Sequence, residues 1–559
     1  MHQNTIDPSA KWLVQKFGGT SVGKFPTKIA DVVSNYIDQY QVAIVCSARS
    51  GSTKALGTTN LLLRAASEAL HRPSKSPYHS RSNTSTNGSP QLSDSSPSPT
   101  PNGNSKESVP DFVATVDLLR EEHMAAARSS INDPEILREL EGEIGQDCDW
   151  LRNFLFAAKL IDEISPRSRD TIVGLGEKLG CKIMTAVLRD QGIDAEYVSL
   201  EDIVPWSEEQ EAVFEGTLGQ DFYDDVARAV GERIKQSAPR VPVVTGFFGP
   251  VPGSLLRQVG RGYTDLLSAL LAVGVQAAEL QIWKEVDGIF TADPRKVPTA
   301  RLLSIISPEE AVELTYYGSE VVHPFTMEQV IRRKIPIRIK NVENPGGGGT
   351  VIHADPDVDP AEVQEGLGSK PVPEPVSLPL LRKLSLTGED HQHKKLPTAV
   401  TIKERVMVVN VNSNKKSVSH GFLAGIFSAL DRFGLVVDLI STSEVHVSMA
   451  FEDTLGKKLL ERLLNELRKS GTVSVHRDMT ILSLVGKQMR NMVGIAGRMF
   501  TTLAQGDINI EMISQGANEI NISCVIQSRD AVKALNLIHH NCLQIKPEGT
   551  RGRVGPWLF

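Results

Sequence analysis

Over residues 11–352, short apolar runs ending in glycine or another small residue alternate with longer stretches whose apolar positions recur every three or four residues. The runs are WLVQKFG (12–18), VAIVCSA (42–48), VPVVTGFFG (241–249) and AELQIWKEV (278–286); TDLLSALLAVGV (264–275) is the clearest of the longer stretches. Apolar runs of this length fit strands buried on both faces, and the 3.6-residue pattern fits the helices between them. The alternation predicts an α/β domain with a largely parallel central sheet over 11–352. Ligands of such sheets gather where the strands end.

Two segments break the pattern. Residues 73–110 hold 12 Ser and 7 Pro but only Tyr78, Leu92 and Val109 as apolar side chains. They cannot bury enough surface to offset their ordering entropy, so disorder is expected. The flanks TTNLLLRAASEAL (58–70) and FVATVDLLREEHMAAA (112–127) both carry helical stripes, so this segment interrupts a domain. Residues 353–397, rich in proline, are expected to be a linker. Beyond it the chain repeats. A shift of 73 residues, without a gap, lays the segment from Val406 on that from Met479, with Gly421 on Gly494, Phe427 on Phe500, Leu430 on Leu503 and Ile440 on Ile513. Each copy reads strand, loop, helix, strand, strand, over 398–472 and 477–546. Such units cannot cover their own sheets, so the copies should pair, within the chain or between chains.

Composition narrows the classes. A net charge of −7 over 559 residues gives no basic footprint for nucleic acid. Cys46, Cys148, Cys181, Cys524 and Cys542 are scattered without zinc-ligand or redox spacing and read as reduced, buried thiols. The start MHQNTIDPSAKW lacks the apolar core of a signal peptide, and LLSALLAVGVQAA (266–278) is too short to span a bilayer. A cytoplasmic protein without membrane partners is expected.

The strand ends carry the chemistry. KFGGTSVGKF (16–25) nearly spells the Walker A loop, but Phe25 stands where that motif needs Ser or Thr for magnesium, and Lys16 precedes the glycines. Gly18 and Gly19 allow a close approach to phosphate, with Lys16 adding charge; a plain tight turn stays open. CSARSGSTKALGTTNLL places hydroxyls from Ser47 to Thr59 after the second strand, either as ligands or as turn and cap residues. VGLGEKLG puts Glu177 among glycines at an apparent loop-to-helix start, either stabilising a helix end or receiving an ammonium. GRGYTDLL sets Arg261 between glycines ahead of a helix starting near Thr264 and Asp265, suited to a carboxylate. In KEVDGIFTADPR (284–295), Phe290 could cover a purine and Arg295 reach phosphate, or the segment is a plain loop. No Ser-His-Asp or histidine-metal set is legible.

KFGGTSVGKF, GRGYTD, KEVDGIFTADPR and YYGSEVVHP (316–324), in this order and followed by paired repeats, resemble the aspartate kinases of the amino acid kinase family, most closely the fungal branch. The resemblance covers about 11–352 and 400–545. It implies an amino acid kinase sandwich with two C-terminal ACT (βαββαβ, ferredoxin-like) domains. The implied reaction is phosphorylation of the side-chain carboxylate of L-aspartate by ATP with Mg²⁺, opening the route to threonine, methionine and isoleucine. By the resemblance, Lys16, Gly18, Gly19 and Ser21 hold the ATP phosphates. Ser47, Thr59, Glu177, Arg261 and Thr264 hold aspartate. Asp265 organises the lysine and the metal-bound phosphates. Lys284, Glu285, Phe290 and Arg295 line the nucleotide site, with Glu320 and Val321 beside it; many bacterial relatives have lysine at the place of Glu320. No metal site built from protein ligands is expected.

The residue types fit that chemistry. An aspartate carboxylate is ionised at neutral pH and needs no base, so positioning and charge neutralisation suffice. The ACT resemblance places an effector pocket at Ser419, His420, Gly421, Phe422, Leu423 and Asp438. It favours threonine as inhibitor and a homo-oligomer formed through the ACT repeats. Acetylglutamate and uridylate kinases share the first loop but not GRGYTD with tandem repeats. A fused homoserine dehydrogenase would need a further domain.

Overall fold

The computed structural model describes residues 2–7, 9–70, 110–204, 218–316, 322–353, 396–413 and 421–545. The Ser/Pro segment and the linker fall almost wholly outside the described residues, as do Glu320, Val321, Ser419 and His420.

The strands of the first half are β1 (Trp12–Phe17), β2 (Gln41–Cys46), β3 (Ala195–Val198), β4 (Val241–Thr245), β5 (Glu279–Lys284), β6 (Ile305–Ile306), β7 (Ile337–Asn341) and β8 (Thr350–Ile352). They form one sheet in the order β3-β4-β2-β1-β5-β7-β8-β6. The first six in that order run parallel; β8 pairs antiparallel with β7 and parallel with β6. The helices are α1 (Gly19–Lys24), α2 (Pro26–Ser34), α3 (Thr58–Leu70), α4 (Asp111–Ser130), α5 (Pro134–Ile161), α6 (Pro166–Asp190), α7 (Gln220–Lys235), α8 (Leu255–Gln258), α9 (Tyr263–Gly274), α10 (Pro308–Tyr316) and α11 (Pro324–Ile331).

The side-chain period of two on each strand feeds two cores. Leu13, Phe17, Val42 and Ile44 join residues of α2–α6 on one face. Trp12, Val14, Ala43 and Val45 join residues of α7, α9 and α11 on the other. The result is a sheet between two helical layers. Both helices flanking the Ser/Pro segment are present and pack together, with the Arg64 guanidinium on the Thr115 hydroxyl at 2.8 Å.

The repeats are β9 (Ala399–Ser413), α12 (Phe422–Arg432), β10 (Leu439–Thr442), β11 (His446–Glu452), α13 (Lys457–Arg468), β12 (Gly471–Val485), α14 (Ile495–Gln505), β13 (Met512–Gln515), β14 (Asn521–Gln527) and α15 (Ala531–Asn541). They share one antiparallel sheet, β10-β11-β9-β12-β14-β13. Two details differ from the sequence reading. The boundary expected at 472–477 falls inside the continuous strand β12, whose first part pairs with 408–413 and whose last part pairs with 399–403. Residues 399–403, assigned to the first repeat, therefore supply the outer strand of the second. The repeat is also not gapless: Leu439 pairs with Ala450, but Met512 pairs with Val525, so the second hairpin is two residues longer. Away from the helices, Val406, Leu439, Met479 and Met512 pack in one shared cluster, each repeat covering the bare face of the other.

Candidate active site

Because β4, β2, β1 and β5 are adjacent and parallel, their C-terminal ends form one edge, with Phe17 in register with both Cys46 and Trp283, and Cys46 with Thr245. There Lys16 Nζ lies 2.7 Å from Asp265 Oδ1. That carboxylate oxygen is buried, and the Lys16 ammonium is the charge that faces it. Gly18 precedes α1 with nothing closer than Lys16 Nζ, at 3.9 Å, to where its Cβ would stand. At Gly19 a Cβ would collide with the Ala48 carbonyl, so the turn after β1 is pressed against the end of β2. The Ser50 N–H donates to the Gly19 carbonyl at 2.9 Å and fastens the two loops.

A cavity of about 920 Å³ opens on this edge and is lined by Ser47, Thr59, Glu177 and Thr264 together. Gly260 lines it as well. Arg261 follows in the short turn Gly260–Gly262; its side chain is outside what the structure describes. Glu177 is almost fully buried and accepts from the Phe247 N–H at 2.8 Å and from the hydroxyls of Thr264 and Tyr263. Burial pushes its carboxyl up to about 7, against the opposing pull of those bonds and of the Lys16 charge.

Glu177 does not stand at a helix start. It lies mid-way along α6, which begins at Pro166 under a Ser165 cap. The neighbouring glycines serve close packing: a Cβ at Gly174 would lie 2.6 Å from the Phe247 ring, and one at Gly176 2.9 Å from Thr58. Glu177 therefore does not cap its own helix; its carboxylate faces Tyr263 and Thr264 in the first turn of α9. Two turns earlier on the same face is Asp170, which the sequence reading missed. It is buried and accepts from the Ser254 hydroxyl at 2.9 Å and the Leu255 N–H at 2.6 Å, fixing α8 just ahead of the Arg261 turn. Burial raises its carboxyl above the ordinary value. The seven-residue spacing from Glu177 was the signal that could have found it.

The nucleotide-side residues are less gathered. The Ser21 hydroxyl donates to Glu285 Oε1 at 2.7 Å, so it is committed to a carboxylate, not free for phosphate. Lys284 ends β5. Phe290 is half-buried and bridges to Leu302. Arg295 is 88% exposed and paired with Asp293 at 3.1 Å, which takes it away from the strand ends. In the repeats, Gly421 is left-handed (φ +82) at the start of α12, and Gly494 matches it (φ +86) at α14. Phe422 is buried and Leu423 exposed. Asp438 is not solvated: Oδ1 holds Lys403 at 2.6 Å, and Oδ2 is buried without a partner. Among the described residues, no cluster of His, Cys, Asp and Glu could by itself hold a metal ion.

Residues 11–341 match the model of the amino acid kinase family, and residues 482–541 match an ACT domain. The chain belongs to the amino acid kinase family. It is 50% identical over 560 residues to the aspartokinase of Schizosaccharomyces pombe, across 99% of this chain and 98% of that one. It is 48% identical to the aspartokinase of Saccharomyces cerevisiae, across 96% and 93%. Its activity is therefore that of an aspartate kinase. The fold is similar to that of E. coli aspartokinase III in complex with aspartate and ADP, with a TM-score of 0.64 at 24% identity over 95% of this chain and 99% of that one. The complex of the same enzyme with lysine and aspartate gives 0.67.

Proposed function

We propose that this aspartate kinase transfers the γ-phosphoryl group of ATP to the side-chain carboxylate of L-aspartate, giving 4-phospho-L-aspartate at the entrance to threonine, methionine and isoleucine synthesis in the cytoplasm. The observation that carries the reading is the placing of the Lys16–Asp265 ion pair and the buried Glu177–Thr264 pair at one set of strand ends. A carboxylate oxygen of aspartate forms the new bond to phosphorus. The bond from phosphorus to the bridging oxygen breaks, and ADP leaves with the electron pair; no proton needs removing. Lys16 and the N–H groups after Gly18 stabilise the transferring charge. Glu177 receives the ammonium, Arg261 the α-carboxylate, and the hydroxyls of Ser47, Thr59 and Thr264 complete the cradle.

The residues fit Mg²⁺ carried on ATP. Asp265, whose Oδ1 already faces the Lys16 ammonium at 2.7 Å, is a carboxylate suited to organising a cation at the phosphates. Bound there, the ion would neutralise phosphate charge. Lys284, Glu285 and Phe290 would face the nucleotide, with Glu320 and Val321 beyond. Ser21 would act through Glu285, and Arg295 would have to leave Asp293.

For control, the free oxygen of Asp438 and the open left-handed turn at Gly421 support an amino-acid effector site with Ser419, His420, Phe422 and Leu423, threonine being favoured. Ile440 and Ile513 lie exposed on the outer strands β10 and β13, which supports association of copies through the repeats.

The test is trapping of aspartyl phosphate as hydroxamate by the purified chain with ATP, Mg²⁺ and hydroxylamine. Lys16→Ala is expected to lower the rate by roughly 10²–10³, the usual cost of one preorganised contact. Product formation from glutamate or uridylate in place of aspartate would refute the reading.

A further inference from the structure

We infer that Arg49 grips the side-chain carboxylate of aspartate, the one that accepts the phosphoryl group. Arg49 lines the same cavity as Ser47, Thr59, Glu177 and Thr264. Its side chain keeps only 15% of its surface, yet its protein partners are weak: Glu122 Oε2 at 3.8 Å and the Glu122 carbonyl at 3.4 Å, both on one nitrogen. A guanidinium offers five donors in a rigid fork. Here one donor is loosely used, by Glu122. Burial disfavours its charge, which Glu122 only partly restores. The adjacent His123 is held neutral at about 4, by burial first, so it adds no second positive charge beside Arg49. An under-compensated cation on a cavity wall is a receptor for an anionic ligand group.

Position selects which group. The backbone of Arg49 is pinned, its carbonyl accepting from the Thr58 N–H at 3.2 Å and the Thr58 hydroxyl at 2.8 Å. The next residue, Ser50, bonds the Gly19 carbonyl of the glycine turn. Arg49 therefore stands on the side where the phosphoryl group would arrive, whereas Arg261 follows Gly260 and Glu177 is bonded at the β4 end. A two-pronged grip on the acceptor carboxylate would point one oxygen at phosphorus, a matter of orientation.

The inference rests on the aspartate site proposed above. The probe is equilibrium binding of aspartate and of asparagine, which lacks the acceptor charge, to the full chain with a non-hydrolysable ATP analogue. Arg49→Gln is expected to narrow the aspartate-to-asparagine affinity ratio at least tenfold, with Arg49→Lys in between, and to leave ATP-analogue affinity within twofold. In turnover, added guanidinium should restore activity to Arg49→Ala. Equal weakening of both ligands, or an unchanged ratio, would overturn the inference. So would matching losses of melting temperature in Arg49→Gln and Glu122→Gln with aspartate KM unchanged, since Arg49 would then serve only an ion pair. If Glu177→Gln raises the aspartate KM while Arg49→Gln does not, Arg49 falls and the aspartate site stands.

Discussion

Glu177→Gln should stabilise the enzyme at alkaline pH while damaging its use of aspartate. The folded enzyme holds this carboxyl at about 7, against an ordinary value of 4.5. A raised acid gives its full stability below the unfolded value and loses it as pH climbs to the folded one. From pH 5 to pH 8 the wild type should therefore lose about 2.5 kcal/mol that glutamine, which cannot ionise, keeps. Any pH-independent repacking around the new amide cancels in the difference between the two pH values. Urea unfolding of both proteins at pH 5 and pH 8 measures it. An ammonium bound beside Glu177 favours the ionised form, so aspartate binding should expel the proton. The wild-type KM for aspartate should then rise as pH falls below about 7, by up to about tenfold per pH unit, and the variant should show a high KM that is flat across this range. A stability difference of equal size at both pH values would show that Glu177 is already ionised without substrate. An unchanged aspartate KM would remove it from the site.

Gly19→Ala should cost both fold and turnover, because its methyl group meets the backbone carbonyl of Ala48, which cannot rotate away. A loss of roughly 1–3 kcal/mol, read by thermal unfolding, fits such overpacking. Gly421→Asp should relieve threonine inhibition without harming basal rate: nothing lies within 4 Å of its Cβ position, and φ +82 costs an aspartate only about 1–2 kcal/mol. An unchanged threonine titration curve would refute the pocket, and no inhibition of the wild type would refute the effector.

Much of the fold was legible because burial on both faces writes itself into the strands. Leu13 and Phe17 go to one core, Trp12 and Val14 to the other, and the four apolar runs are β1, β2, β4 and β5. The glycines at equivalent places in the repeats proved to have the same backbone shape, since each starts a helix from a left-handed turn. Glu177 does line the strand-end cavity with Ser47, Thr59 and Thr264, but from the middle of a helix, not from its start. Gly174, Gly176 and Gly180 look like helix breakers, and only the neighbours they admit explain why the helix continues. The interlocked repeats were not legible either. Strand 399–403 pairs with residues some eighty positions away, and alternation reports that a strand exists, not which strand it joins. The commitments of Ser21 to Glu285 and Arg295 to Asp293 depend on side-chain geometry that no spacing encodes.

The way the two halves meet limits how control can work. Ala292 and Val297, in the loop that follows β5, belong to the core of the second repeat with Leu482, Met499 and Leu535. His539 of α15 is buried between the hydroxyls of Thr291 and Thr299, at 2.9 and 3.4 Å. Burial first, and then the Arg301 charge, lower its pKa, which keeps the ring neutral at physiological pH. Glu310 of α10 accepts from the Thr398 hydroxyl at 2.6 Å and the Lys487 N–H at 2.8 Å, while Glu313 takes the Asn521 amide at 2.9 Å. The segment that carries Phe290 and Arg295, and the helix that leads to Glu320, are thus both fastened to the second repeat. A ligand shifts an equilibrium only through its different affinity for the two states. An effector bound near Gly421, in the first repeat, has no direct hold on the strand ends. Its difference in affinity must be carried through the shared sheet into these buried contacts, where a small displacement breaks hydrogen bonds that water cannot easily replace.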